Sequence, residues 1–315
     1  MKIIRFSVPA LALALLCSAC SRGRGHHGEP AYVSAAQGTL RDRRSEVFTN
    51  VGQVKNGERV EIIDRDRRFA LVRTAQGTEG WIQERYLVSQ KVFDAFQKLQ
   101  MDEQSSPVQA SALTRNDTNL HLEPARDADH LYQVPQGSKV SILKRSTSEK
   151  RLPGAPAKSE AESSPEVPKA MEDWWLVRDS AGHTGWILTR MADVDVPLEV
   201  AQYAEGQRIV AAFVLDEVSD ADKKVPQYLM LLTEPKDGLP FDYNQARVFT
   251  WNVKRHRYET AYRERLMGML PVTVGHENFG KEGDLPTFVL RAQGSTGNLT
   301  EKKYKLNTPI VKRVN

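Results

Sequence analysis

Many of the side chains able to do chemistry lie in the last third of the 315-residue chain: Glu234, Asp237, Asp242, His256, Glu259, His276 and Glu277. Catalysis constrains spacing. A His-Glu-x-x-His pair holds zinc from one helix face, a Gly-x-Ser-x-Gly elbow presents a nucleophile, and a Gly-x-x-x-x-Gly-Lys-Ser/Thr loop cradles phosphates. None of these patterns occurs in the sequence. The paired carboxylates of a glycoside hydrolase meet in space rather than along the chain, so spacing does not address them. Arg255, His256 and Arg257, between Trp251 and Tyr258, read as the basic turn of a hairpin, and His276, Glu277 and Asn278 as surface. These residues predict no catalysis, no cofactor and no metal.

Aromatic residues point to binding. Trp174 and Trp175 are adjacent, and neighbours in a strand face opposite ways, so one should enter a core and the other lie at the surface. An exposed indole can stack on a sugar or cover a peptide. Trp174, Trp175 and Tyr132 are the candidate ligand-binding residues.

These aromatics belong to a repeated pattern. Leu71, Val72, Arg73, Gly77, Gly80, Trp81 and Ile82 return as Leu176, Val177, Arg178, Gly182, Gly185, Trp186 and Ile187. The preceding Val54, Gly57, Val60 and Ile62 return as Val134, Gly137, Val140 and Ile142. Two copies predict two modules. Apolar residues alternate at period two, as in strands with one buried face, and Gly57 and Gly137 sit where turns feed them. Each module is small, so its large Trp81 or Trp186 is expected in the core. Both copies resemble bacterial SH3 domains, whose ending Gly-Trp-Val/Ile they share. The opening Asn119, Leu120, His121, Leu122, Glu123, Pro124 of the second copy fits that family. The first opening, Thr39, Leu40, Arg41, Asp42, lacks its Asn and Pro.

The N-terminus directs secretion. Lys2 and Arg5 precede an apolar run, Leu11 to Leu16, too short to span a bilayer. Ser18, Ala19 and Cys20 resemble a lipoprotein box, which implies acylation of Cys20. Cys17 and Cys20 are the two cysteines, so a processed chain would hold no free thiol, no disulfide and no Cys-ligated zinc. Formal net charge is +4, and loss of Lys2 and Arg5 would leave about +2, which carries no nucleic-acid footprint.

The expected organisation is a signal peptide over 1–20, a tether over 21–30, modules over 31–90 and 109–196, and a helical linker over 91–108. Val92, Phe96 and Leu99 give that helix its stripe, with Ser89 as cap. The second module carries a Pro-, Ser- and Glu-rich insertion, 146–170, whose composition predicts disorder. Residues 197–315 show eight candidate strands punctuated by Gly and Pro. The fold class is therefore mainly β, with two small SH3-like barrels, a short helix and a C-terminal antiparallel barrel or sandwich. The resemblances imply a lipid-anchored protein of the cell envelope, on the periplasmic face of the outer membrane if the cell has two membranes, that binds peptidoglycan or wall peptides; with no catalytic spacing in the sequence, it is read as non-catalytic. A protein-interaction scaffold, or a wall-modifying enzyme with its active site in the C-terminal region, are the alternatives.

Overall fold

The computed structural model describes residues 28–151, 169–294 and 297–314. The signal segment with Cys20, nearly all of the tether and the middle of the 146–170 insertion lie outside them. The chain is mainly β, built from three seven-stranded antiparallel sheets with one longer helix, α1 (Gln90–Asp102).

The two modules have one strand order. Strands Glu29–Val33, Gln37–Arg41, Asn50–Lys55, Arg59–Asp66, Phe69–Thr74, Glu79–Gln83 and Leu87–Ser89 lie in the spatial order three, two, six, five, four, one, seven. Strands Ala110–Thr114, Thr118–His121, His130–Val134, Lys139–Glu149, Met171–Asp179, Thr184–Leu188 and Ala192–Val194 repeat that order. The end strands of each sheet are not hydrogen-bonded to each other. Period-two burial builds each core: Val60, Ile62, Val72 and Ile82 in the first, Val140, Ile142, Val177 and Ile187 in the second. Gly57 and Gly137 take φ of +76° and +74°, the left-handed turn that only glycine adopts freely. Gly80 and Gly185 serve closeness instead. A Cβ would come within 2.7 Å of Leu40 Cβ at the first and 2.6 Å of Leu120 Cβ at the second.

The same alternation overturns one expectation. Ile82 and Ile187 point inward at 1% exposure each, so the neighbouring Trp81 and Trp186 face the other side and are only half-buried. Side-chain size suggested a core role; strand geometry decides against it.

Helix α1 welds the modules. Its Phe96 is 1% exposed and joins the second module's core, while Phe93 stacks on Tyr32 at 3.9 Å. Ser89 precedes the helix but makes no side-chain capping bond. Asn56, in the first module's turn, donates to the Leu131 carbonyl at 2.8 Å and accepts from the Gln133 N–H at 3.0 Å. It thereby covers an edge strand that would otherwise stand open.

The C-terminal sheet is a consecutive antiparallel meander from Arg208–Asp220 to Ile310–Arg313, curled so that Val210 and Phe213 of its first strand share a core cluster with Phe288 and Tyr304. Apolar residues cover both its faces. Leu229, Leu231, Val248 and Phe288 lie in one cluster, and Met230, Leu232 and Phe249 lie in the other with Val200 and Ala204 of the preceding helical turns. Two expected strands, 258–263 and 270–274, are one continuous strand, Arg257–Asn278. Gly268 does not break it; the ring of Tyr243 occupies the space a side chain would need. A register shift follows between Met269 and Thr273, where the strand's pairing with 284–292 begins.

A buried ionic cluster joins this sheet to the second module. Arg145, 8% exposed at its side chain, donates to Asp173 Oδ1 at 2.8 Å, Asp242 Oδ1 at 3.2 Å and the Phe241 carbonyl at 2.9 Å. Arg208 bridges Asp173 and Asp237. Two of the carboxylates singled out for chemistry, Asp237 and Asp242, are thus structural partners. The insertion's ends also differ from expectation, since Thr147, Ser148 and Glu149 pair with Asp173, Glu172 and Met171 and lengthen the hairpin.

Candidate functional site

Trp81 leaves the core to line an open groove on the first module. Register places Arg41 and Leu71 beside it on the flanking strands. The groove holds about 680 Å³ between residues 42–45, 66–69 and Trp81. Arg44 lies 4.9 Å from the Trp81 ring, and Arg41 lies 4.0 Å from Phe48 and 5.6 Å from Phe69. Cations over aromatic faces hold both kinds of group in place. Arg43 is tied to Asp42 by two hydrogen bonds, at 2.9 and 2.8 Å, and Arg44 to Asp66. The Arg43 and Thr49 hydrogen bonds hold the Asp42 carboxyl below its usual range. Phe69, Arg67 and Arg68 continue into a second cleft of about 450 Å³ with Gln83, Glu84 and Arg85.

The second module closes the same place. Trp174 stands where the first module has Phe69, and it is 1% exposed. His121, aligned with Arg41, packs edge-on to Trp174 at 5.5 Å. Arg126 and Arg190 both pair with Glu172 beside it. Burial lowers the pKa of His121 and of the neighbouring His130, whose rings pack 5.6 Å apart. Trp175, on the opposite face, enters the module core at 2% exposure. Alternation thus separates the two rings as expected, but neither reaches the surface. His121 packs on the one ring and the module core encloses the other. Tyr132, the third candidate, is 7% exposed and stacks on His183 at 3.7 Å against α1, which makes it a packing residue.

The groove around Trp81 was legible in one signal only. In Gly80-Trp81-Ile82, a buried Ile82 requires an outward Trp81, whatever its size.

Chemistry-bearing groups in the C-terminal sheet gather at two places. His256, at a turn with φ +46°, places Nδ1 2.7 Å from Asp220 Oδ2, which also accepts from Trp251 Nε1 at 2.8 Å. Those bonds lower the Asp220 pKa. The histidine side chain is 67% exposed, so a carboxylate orients an imidazole that faces water. Glu264 accepts from Lys302 at 2.7 Å, from Tyr262 at 2.8 Å and from Tyr304. Burial raises the Glu264 pKa, but the three hydrogen bonds outweigh it and leave it lowered. Among the described residues no group of three metal-capable side chains meets, and no helix is long and apolar enough to cross a membrane.

No curated protein matches this sequence. Among solved structures, NlpC2 from Trichomonas vaginalis is similar at 12% identity over 90% of this chain and 95% of its own, with a TM-score of 0.18. NlpC1 from the same organism is similar at 13% identity over 96% of each chain, with a TM-score of 0.19. An NlpC/P60 family protein from Bacillus cereus aligns at 10% identity over 89% of this chain and 95% of its own, with a TM-score of 0.24. With these neighbours the expectation of a purely binding, non-catalytic protein is withdrawn, although such scores assign neither fold nor activity. The sequence family described as bacterial SH3 domain matches residues 37–88. It does not extend to the second copy, whose likeness to the first rests on the shared strand order. The segment that carries the Trp81 groove is a bacterial SH3 domain.

Proposed function

We propose that this protein is directed to peptidoglycan and takes part in wall modification. The first module holds the wall, and the C-terminal sheet carries the reacting groups. One observation carries the reading: the bacterial SH3 domain presents an open groove of arginine and aromatic side chains, while its structural copy is sealed. The second module, proposed as a divergent SH3 domain, serves as a post between its neighbours. Acylation of Cys20 would tie the chain to a membrane facing the wall.

For the chemical step the candidate is His256. With Nδ1 held by Asp220, its other nitrogen is free to take a proton from an attacking water, the role of a general base. Incubation of purified sacculi with the full chain tests both halves, by counting retained protein and released wall fragments. Wild type should be retained and should release fragments. His256→Ala should be retained equally and release fragments roughly 10²- to 10⁴-fold more slowly. Retention without release by wild type overturns the chemical half, and absence of retention overturns the whole.

A further inference from the structure

Resting on the reading that the Trp81 groove holds the wall, we propose that its ligand is a peptide segment with free carboxylates, gripped by Arg67 and Arg68. These two residues form the turn between strands Arg59–Asp66 and Phe69–Thr74. Arg67 has φ +55°, a conformation that costs an L residue energy and that hairpins usually give to Gly or Asn. Folding alone would favour glycine there. Strain kept at an exposed position points to a use for the side chain.

Neither guanidinium has a hydrogen bond or ion pair among the described residues, whereas Arg43, Arg44 and Arg65 are held by Asp42, Asp66, Glu29 and Glu84. Both free arginines stand where the two clefts meet, next to Phe69. An arginine fork matches a carboxylate with two parallel hydrogen bonds, and the faces of Phe69 and Trp81 would cover the peptide's apolar portions. In the second module this turn is replaced by the paired residues 147–149 and 171–173, so the site belongs to the first module alone.

Charge favours a peptide over a phosphate polymer. The joined clefts are lined by Arg43, Arg44, Arg67, Arg68 and Arg85 against Asp42, Asp66 and Glu84. Polyphosphate binding rests on a basic stripe. A mixed lining suits a ligand with carboxylates to accept from arginine and N–H groups to donate to Asp and Glu.

Titration of the full chain with a synthetic hexapeptide containing two glutamates, with the same peptide carrying glutamines, and with inorganic polyphosphate tests this assignment. The acidic peptide should bind at least about tenfold more tightly than the neutral one, as expected for charge-assisted hydrogen bonds. Arg68→Gln should remove about tenfold of that affinity. Arg67→Gly should do the same while the melting temperature holds or rises, because glycine relieves the turn. Equal binding of the two peptides overturns the proposal, as do tighter binding of polyphosphate and unchanged affinity in Arg67→Gly. Sacculus retention without peptide discrimination overturns this assignment and leaves the wall-binding reading standing.

Discussion

Replacing Arg145 by Met should destabilise the protein by about 3–5 kcal/mol, the range for removing one partner of a buried ion pair. The side chain sits against Asp173 and Asp242, whose own side chains are 2% and 10% exposed. Its loss leaves Asp242, already raised in pKa by burial, without its main counter-charge. Asp173 retains Arg208. The substitution should also loosen the seam between the second module and the C-terminal sheet, where the Gly238 N–H bonds Asp173 Oδ1 at 3.1 Å and the Val272 N–H bonds Gln109 Oε1 at 2.7 Å. Urea unfolding and hydrogen exchange at 237–242 check both effects. A change below about 1 kcal/mol, ordinary for an exposed pair, would mean that the cluster does not hold the domains together.

Trp175→Ala should cost about 3–5 kcal/mol, as large aromatic truncations in cores do. Trp175 lies in the second module's core with Ile142, Val177 and Ile187, and that core includes Phe96 of α1 and Tyr32 of the first module. Damage there should therefore reach all three parts and lower the melting temperature of the whole unit. Trp186→Ala, at a half-buried ring, should cost clearly less. Equal losses for the two variants would mean that alternation does not decide which indole supports the fold.

Much of the architecture was legible because it depends on periodicity. Gly57 with Gly137 and Val60 with Val140 announced two equivalent modules, and both sheets have one strand order. The C-terminal meander was legible as strands but not as their number, since Gly268 reads as a breaker and acts as the seat of Tyr243. The site was harder. Trp174 and Trp175 stand out as a double aromatic, yet their burial depends on partners distant in sequence, His121 against Trp174 and Tyr32, Phe96 and Leu120 in the core that holds Trp175. Trp81 was mistaken for core because size was weighed above alternation. Arg67 and Arg68 belong to no motif or periodic pattern in the sequence; only the folded chain puts Arg67 in a left-handed turn and both side chains without a partner among the described residues.

The wall-holding role of the first module is tested most directly by retention of Trp81→Ala on purified sacculi, measured beside its melting temperature. Trp81 lines the groove without entering the core, so its truncation should abolish retention while the melting temperature stays close to wild type. Undiminished retention by that folded variant would contradict the account.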